Sequence, residues 1–314
     1  MLPSIPRGAK VALSYVLICL IWGTTWLAIK FAIFTIPPFL SAGIRFSIAS
    51  LLILAILKIR RYKYRFDLRQ TIFLLIVGLG SFSVPYGLVY WAENKITSGL
   101  TATTFAVMPF FAAILSRIFL KTDDLSFWKV FGIILGFSGL IVIFWGDLRL
   151  GSFDSAEGIL AVVASAFANS AVAVGVKKYG REIDPVFINL IPMALGALTL
   201  LLTSLFIENW QKLRFDASTI IAILYLAIFG SVVAFTLYFY VLKHISVVLL
   251  SMSSFITPVL ALTAGAMVLG ERFPAGTLLG AGLILCGILV LNLLGQSRNM
   301  SVEILRKTRR ASAK

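Results

Sequence analysis

Long apolar runs, separated by short polar turns, fill almost the whole chain. A helix needs about 20 mostly apolar residues to cross a bilayer. Ten runs meet that requirement, with approximate limits 11–33, 37–57, 70–92, 97–119, 126–145, 156–177, 184–206, 217–240, 246–269 and 274–295. The pattern predicts an all-α polytopic membrane protein with ten transmembrane helices, and it leaves no stretch for a water-soluble domain.

The composition supports this class of protein. Of the 314 residues, 60% are hydrophobic and 13% are charged, whereas soluble domains have about 25% charged residues. The net charge of +15 is spread over many turns and not gathered on one patch, which argues against nucleic-acid binding. The expected partners are the lipid bilayer and a small-molecule substrate, in a monomer or a homodimer.

The basic residues are divided unequally between the two sides of the predicted bundle. If the N-terminus is cytoplasmic, one of the 28 Lys and Arg residues, Arg45, lies within a span, and 21 lie on the cytoplasmic side. The six on the outer side are Lys30, Lys95, Arg149, Lys212, Arg214 and Arg272. Basic residues concentrate in cytoplasmic loops, so this bias predicts that both termini are cytoplasmic.

The two halves of the chain repeat each other. The segment DLRQTIFLLIVGLGSF from Asp67 aligns with DASTIIAILYLAIFGS from Asp216 at an offset of 149 residues. Further pairs at offsets of 147 to 149 are Lys30 with Lys177, Pro38 with Pro185, Ile96 with Ile245, Pro109 with Pro258, and Gly132 with Gly280. One register therefore relates the first five runs to the last five.

An odd number of helices in each half has a topological consequence. The second half starts on the opposite side of the membrane, so the halves are predicted to be inverted repeats, an arrangement typical of secondary transporters. The predicted units are a first five-helix repeat over 1–146, an inverted second repeat over 147–297, and a basic cytoplasmic tail over 298–314. Glycines in the fifth and tenth runs predict close helix packing, between the halves or between protomers; they are Gly132, Gly136, Gly139, Gly276, Gly280 and Gly287.

Four stretches carry a resemblance to a known family. They read IWGTTWLAIK in the first run, AGIRF in the second, ITSGLTATTFAVMPFFAAIL in the fourth, and LGERFPAGTLLGAGLILCGILVL at the end. In their order and spacing they resemble the EamA-type ten-helix transporters of the drug/metabolite transporter superfamily, over roughly residues 10–295. The resemblance implies a bacterial inner-membrane exporter of metabolites, amino acids or drugs. It also implies a central cavity lined by the first, third, fourth, sixth, eighth and ninth helices.

Two prolines occupy equivalent places in the repeat. Pro109 and Pro258 each lie 12 residues into their runs, about 18 Å deep at 1.5 Å per residue and thus near the bilayer midplane. Each removes a helical hydrogen bond and frees the carbonyl four residues earlier, which belongs to Phe105 or to Ser254. Either these helices bend as a cavity wall during transport, or the prolines form static, packed kinks.

Hydroxyl and aromatic side chains around these prolines are candidates for substrate contact. The hydroxyls could equally join neighbouring helices by hydrogen bonds, and some aromatics could belong to the interfacial belt. The cavity candidates are Trp22, Thr25, Trp26, Tyr86, Tyr90, Thr101, Thr104, Phe105, Pro109, Asn169, Phe235, Tyr238, Ser251, Ser254 and Pro258.

Two charged residues are candidates for gating or coupling. Glu93 lies at the predicted outer end of the third helix, and Arg45 lies about 10 Å below the same surface. Charges within the membrane are costly and usually paired, so the hypothesis is an ion pair between Glu93 and Arg45 or an outer-gate network that contains both. Alternatively, Glu93 stabilises the start of the fourth helix through the helix dipole, and Arg45 bonds backbone carbonyls.

These features favour a secondary transporter that exports small organic metabolites such as amino acids or amphipathic drugs. The chain has no Walker sequence for ATP hydrolysis, and proton antiport, facilitated diffusion and exchange all remain open. A sugar-phosphate or nucleotide-sugar antiporter is the alternative, but phosphate would require several cations in the cavity. A membrane-embedded transferase would need a catalytic cluster, which the sequence lacks. No catalytic residue, metal or cofactor is expected.

Overall fold

The fold is all-helical in the part of the chain that the structure, a computed structural model, describes: residues 6–61, 67–121, 126–149, 153–180, 182–211 and 213–291. Within these residues, nine helices are long and apolar enough to cross a membrane, and a further apolar helix has 15 residues. The predicted all-α class is therefore confirmed for the described residues.

The helices follow the predicted runs closely. They are α1 (Arg7–Ala32), α2 (Pro38–Ile59), α3 (Leu68–Glu93), α4 (Ser98–Phe119), α5 (Phe127–Arg149), α6 (Phe153–Tyr179), α7 (Pro185–Ile207), α8 (Ala217–His244), α9 (Val247–Leu269) and α10 (Ala275–Leu289). The predicted run 274–295 is described only as far as residue 291, and the predicted tail 298–314 lies outside the described residues. That α10 spans the membrane, and that both termini are cytoplasmic, remain predictions.

Equivalent helices begin with equivalent caps. The side chain of Asp67 accepts a hydrogen bond from the backbone N–H of Gln70 at 2.6 Å. Asp216 does the same for Thr219 at 2.8 Å, and that backbone bond lowers the pKa of Asp216. An aspartate N-cap satisfies one of the orphan N–H groups of a first turn, so the repeat extends to the local signals that start α3 and α8.

Two pairs of equivalent helices pack against each other, α2 with α7 and α5 with α10. The carboxylate of Glu208, just after α7, accepts from the backbone N–H groups of Phe39 and Leu40 at the start of α2, at 2.8 and 3.0 Å. The end of α7 therefore lies beside the start of α2, and the two helices are antiparallel. This is the relation that an inverted repeat requires.

Glycines allow α5 and α10 to approach closely. A Cβ atom added to Gly139 would lie 2.5 Å from the carbonyl oxygen of Gly280, and one added to Gly287 would lie 2.6 Å from that of Gly132. These four glycines therefore pack the two halves of one chain against each other, which is the first of the two predicted alternatives. Gly276 has no atom within 4 Å of its added Cβ and takes no part in this contact.

The other contacts of the bundle obey the same symmetry. Helix α1 packs on α8 and α9, and its equivalent, α6, packs on α3 and α4. Each half thus inserts its first helix against the third and fourth helices of the other half. A central space between the halves results.

We expect Gly139→Leu to destabilise the protein, because a side chain there must push α10 away from α5. Overpacking of this kind costs about 1–3 kcal/mol. Thermal unfolding of the detergent-purified protein measures the effect. Gly282→Leu is the matched control on α10, because an added Cβ at Gly282 meets no atom within 4 Å. Equal melting temperatures for the two variants would contradict the packing interpretation.

Candidate functional site

A cavity of about 80 Å³ lies between the two halves. Helices α1, α2, α3, α4, α6, α8 and α9 supply its walls. Its lining residues are Trp22, Thr25, Trp26, Ile29, Arg45, Ser81, Tyr86, Val89, Phe105, Met108, Ser165, Asn169, Val172, Ala173, Phe235, Tyr238, Phe239, Ser251, Ser253, Ser254 and Thr257. Sites for drug-sized ligands have volumes of about 300–1,000 Å³, so the cavity is contracted in this conformation.

Ten of the fifteen cavity candidates from the sequence lie in this lining. They are Trp22, Thr25, Trp26, Tyr86, Phe105, Asn169, Phe235, Tyr238, Ser251 and Ser254. Arg45, singled out as a gating candidate, also lies there. The cavity therefore brings together residues that are up to about 230 positions apart in the sequence.

The other five candidates, Tyr90, Thr101, Thr104, Pro109 and Pro258, lie outside the lining, which corrects the sequence-based expectation. All five are buried against protein. The hydroxyl of Tyr90 accepts from Arg45, and that of Thr101 donates to the carbonyl of Thr97. The buried hydroxyl of Thr104 has no hydrogen-bond partner among the described residues, and none of the five residues borders the cavity.

The two prolines differ in their local structure. In α4 the helix is interrupted between Phe105 and Met108, and Pro109 lies in the first turn of the second segment, where its missing N–H costs nothing. In α9 the interruption is at Met252, six residues before Pro258, which lies inside a continuous helix. Both helices are interrupted, but the interruption lies just before Pro109 in α4 and six residues before Pro258 in α9.

Helix α6 contributes a stripe that sequence analysis found only in part. Ser165, Asn169, Val172 and Ala173 line the cavity, and their spacing of four, three and one residues defines one helical face. Only Asn169 was a candidate. The combination of Ser and Asn on an otherwise apolar face is the signal from which Ser165 could have been predicted.

Aromatic rings form much of the cavity wall. The ring of Trp22 lies 5.2 Å from those of Phe235 and Tyr238, measured between centroids. The ring of Phe82 lies 4.8 Å from that of Phe235. Tilted and edge-to-face contacts at such distances are favourable aromatic packing. The wall offers flat apolar surfaces to a ligand.

Helices α3 and α8 each contain a π-helical segment, at Gly78–Ser83 and Leu226–Val233. The two segments lie at the repeat offset, and the sequence analysis did not predict them. Such segments leave backbone carbonyls available and are frequent at functional sites. In α8 the carbonyl of Gly230 accepts from the indole of Trp22 at 3.4 Å and from Arg45 at 3.2 Å.

The guanidinium of Arg45 is buried, with 1% of the residue exposed. Besides the carbonyl of Gly230, it donates to the hydroxyl oxygens of Ser231 and Tyr90, at 2.9 and 3.2 Å. Its Cζ atom also lies 4.9 Å from the centroid of the Tyr86 ring. All three hydrogen-bond acceptors are neutral, and they belong to α3 and α8.

The hypothesis of a direct ion pair between Glu93 and Arg45 is wrong for this conformation. Glu93 is fully buried, and neither carboxylate oxygen has a hydrogen-bond partner among the described residues. Arg45 instead bonds Tyr90, one helical turn before Glu93. The charges that act on the Glu93 carboxyl are those of Lys30, Glu271 and, less strongly, Arg45.

Two lysines at equivalent positions of the repeat, Lys30 and Lys177, cap the C-terminal ends of α3 and α8. The ammonium of Lys30 donates to the backbone carbonyls of Glu93 and Ile96. That of Lys177 donates to the carbonyls of Leu242 and Ile245, at 2.6 and 2.7 Å. A cation at a helix C-terminus is favourable because it meets the unpaired carbonyls and the negative end of the dipole.

A carboxylate from the second half binds the start of α4. Glu271 accepts from the backbone N–H groups of Ser98 and Gly99 at 2.9 and 3.2 Å, and from the Ser98 hydroxyl at 2.9 Å. From the sequence, Glu93 was the alternative candidate for stabilising this helix start. Nearby, Lys95 forms ion pairs with Asp154 and Glu157, at 3.0 and 2.5 Å, and those hydrogen bonds raise the pKa of Lys95.

A duplicated helical unit around a shared central cavity is the architecture of a membrane transporter. A model of the EamA-like transporter family matches residues 9–145 and again residues 156–293, and the chain belongs to this family. The double match agrees with the internal repeat. Transport rather than catalysis is therefore the general class of function.

The chain is similar in sequence to other transporters over most of its length. The chain is 30% identical to the uncharacterized transporter YoaV of Bacillus subtilis, over 89% of this chain and 95% of that one. It is also 30% identical to the uncharacterized inner membrane transporter YedA of Escherichia coli K12, over 87% and 88% of the two chains. A solved crystal structure, 20% identical, covers 92% of this chain with a TM-score of 0.70 and shows the same fold. Together with its apolar helices, these likenesses identify a multi-pass plasma-membrane protein.

We expect Lys30→Met to lower the stability of the protein, because the carbonyls of Glu93 and Ile96 lose their donor. An unsatisfied buried acceptor costs about 1–3 kcal/mol. Thermal unfolding in detergent measures this loss. Lys10→Met is the control, since Lys10 is exposed near the start of the same helix. A melting temperature unchanged by Lys30→Met would show that the two hydrogen bonds contribute no net stability.

Proposed function

We propose that the protein is a secondary transporter that exports small organic metabolites, such as amino acids or amphipathic drugs, by alternating access. In this proposal ten helices span the plasma membrane with both termini in the cytoplasm. The main support is the position of the cavity, which both halves line at the interface of antiparallel repeats. Two nearly equivalent halves can exchange conformations, so that the cavity opens to each side in turn.

The chemistry of the cavity supports the substrate class. Most of the lining is aromatic or aliphatic, and hydroxyls of Ser251, Ser254 and Thr257 add polar contacts. Arg45 is the only cation among the described lining residues. A sugar-phosphate or nucleotide-sugar carrier would need more positive charge for its phosphates, so this alternative is less well supported.

We expect saturable uptake of labelled aromatic and aliphatic amino acids into proteoliposomes of the purified protein. Ser254→Trp should abolish this flux, because the new ring fills the already contracted cavity. Leu205→Trp is the matched control, since Leu205 lies on the surface of α7, away from the cavity, and is 59% exposed. Flux that persists in the Ser254→Trp variant would contradict transport through this cavity. The same assay with amphipathic drugs covers the other substrates in the proposed class.

We further propose that Glu93 couples transport to a proton. The carboxyl is buried without a hydrogen-bond partner among the described residues, so an ionised form would have no donor to stabilise it. The groups that interact with it electrostatically are Lys30 on α1, Arg45 on α2, Tyr90 on its own helix and Glu271 before α10. A movement that changes these neighbours would change its affinity for a proton.

We expect an imposed pH gradient to accelerate transport by the wild-type protein, and Glu93→Gln to remove that response because the amide binds no proton. Exchange of substrate across the membrane without a gradient should persist in the variant. Glu182→Gln is the control, since Glu182 is exposed on a turn. Wild-type flux that ignores the gradient would refute coupling and leave Glu93 with a structural role.

A further inference from the structure

We propose that the cavity recognises its solutes through a carboxylate, which binds to the guanidinium of Arg45. The proposal rests on the proposed transport function and narrows the substrate to organic anions with an apolar or aromatic body. It assigns to Arg45 a direct ligand contact in addition to its bonds within the protein.

The first observation is a buried charge without a counter-ion. Among the described residues, no ion pair shorter than 4 Å involves Arg45. The unpaired carboxyl of Glu93 acts on Arg45 only over a longer distance. A buried guanidinium held by neutral acceptors alone is costly unless an anion joins it. An anionic ligand would supply the missing charge.

The second observation is the capacity of the guanidinium for further hydrogen bonds. Its bonds to Ser231, Tyr90 and Gly230 use three of its five N–H groups. The hydroxyl of Tyr86, which also borders the cavity, is a further hydrogen-bond partner of the guanidinium, and a carboxylate that engages two N–H groups would displace it. A planar guanidinium is suited to a carboxylate, because two parallel N–H donors match its two oxygens.

The third observation is where this charge lies. Arg45 borders the same cavity as Trp22, Trp26 and Phe235, so a carboxylate bound to it would place the rest of the ligand among aromatic rings. Hydroxyls of Ser254 and Thr257 are available on the α9 wall. Aromatic amino acids and arylalkyl carboxylates combine these features, whereas purely cationic amphiphiles would be repelled.

A purely structural role would look different in one respect. Arg45 joins α2 to α3 and α8 through its three bonds, and a residue with only that role could be enclosed on all sides. Arg45 is 1% exposed in this conformation, yet it borders the cavity. Its removal should therefore change ligand selectivity as well as stability, and the two effects can be measured separately.

The test compares ligands that differ only in the polar group. Binding of 3-phenylpropionate, 3-phenylpropionamide, 2-phenylethylamine and 2-phenylethyl phosphate to the purified protein is followed by calorimetry or tryptophan fluorescence. We expect the carboxylate to bind at least about tenfold more tightly than the amide, since a hydrogen bond to a charged group contributes that much or more. Arg45→Gln should reduce this preference to less than about threefold, and Arg45→Lys should retain part of it.

The control variant is Arg60→Gln, because Arg60 is an exposed cation at the other end of α2. It should keep the wild-type preference. If Arg45→Gln does not fold, as judged by gel filtration, the comparison of carboxylate and amide in the wild-type protein still decides the question. Equal affinities, or no binding of the carboxylate, would overturn the proposal. Tighter binding of the phosphate would assign the site to phosphorylated solutes.

Failure of this inference is distinguishable from failure of the transport proposal. Saturable flux of neutral and anionic solutes at similar rates would leave transport standing and remove the carboxylate site. Arg45-dependent binding without any flux would keep the site and remove transport.

Discussion

A membrane interior supplies no water to backbone groups, so every irregular piece of backbone there needs a partner from the protein. The structure meets this constraint largely with side chains from neighbouring helices. Lys30 and Lys177 donate to the carbonyls that end α3 and α8. Ser165 and Ser170 on α6 donate to the carbonyls of Pro85 and Met108, where α3 and α4 depart from regular helix. The breaks that shape the cavity are possible because these partners lie beside them.

The inverted repeat makes some of these partners equivalent, whereas other contacts join one half to the other. The two lysines occupy equivalent positions, and each donates to the carbonyls at the C-terminal end of the third helix of its own half. Glu208 and Glu271, by contrast, both lie in the second half and bind helix starts of the first half. In the predicted topology both contacts are on the outer side.

Hydrophobic runs predicted the helices well, because ten apolar segments joined by short turns have few other arrangements. The repeat offset likewise predicted which helices are equivalent. The contacts of single polar residues were less predictable. Arg45 was paired with Glu93 from depth alone, but the π-helical segment in α8 presents Ser231 and Gly230 to it instead. No pattern in the sequence indicated that segment. The face of each helix that borders the cavity was also predicted only in part, since the stripe on α6 mixes Ser165 and Asn169 with small apolar residues.

The contracted cavity connects ligand binding to movement of the halves. A volume of about 80 Å³ is small beside the roughly 300–1,000 Å³ of sites for drug-sized ligands, so on the transport proposal the walls separate when such a ligand binds. Arg45 belongs to the first half, whereas Ser231 and Gly230 belong to the second, and any separation of α2 from α8 weakens those bonds. A carboxylate arriving at Arg45 would replace the lost acceptors and neutralise the charge that they leave unpaired. On this proposal the ligand stabilises the open arrangement because it satisfies a buried cation that the closed protein satisfies only with neutral groups.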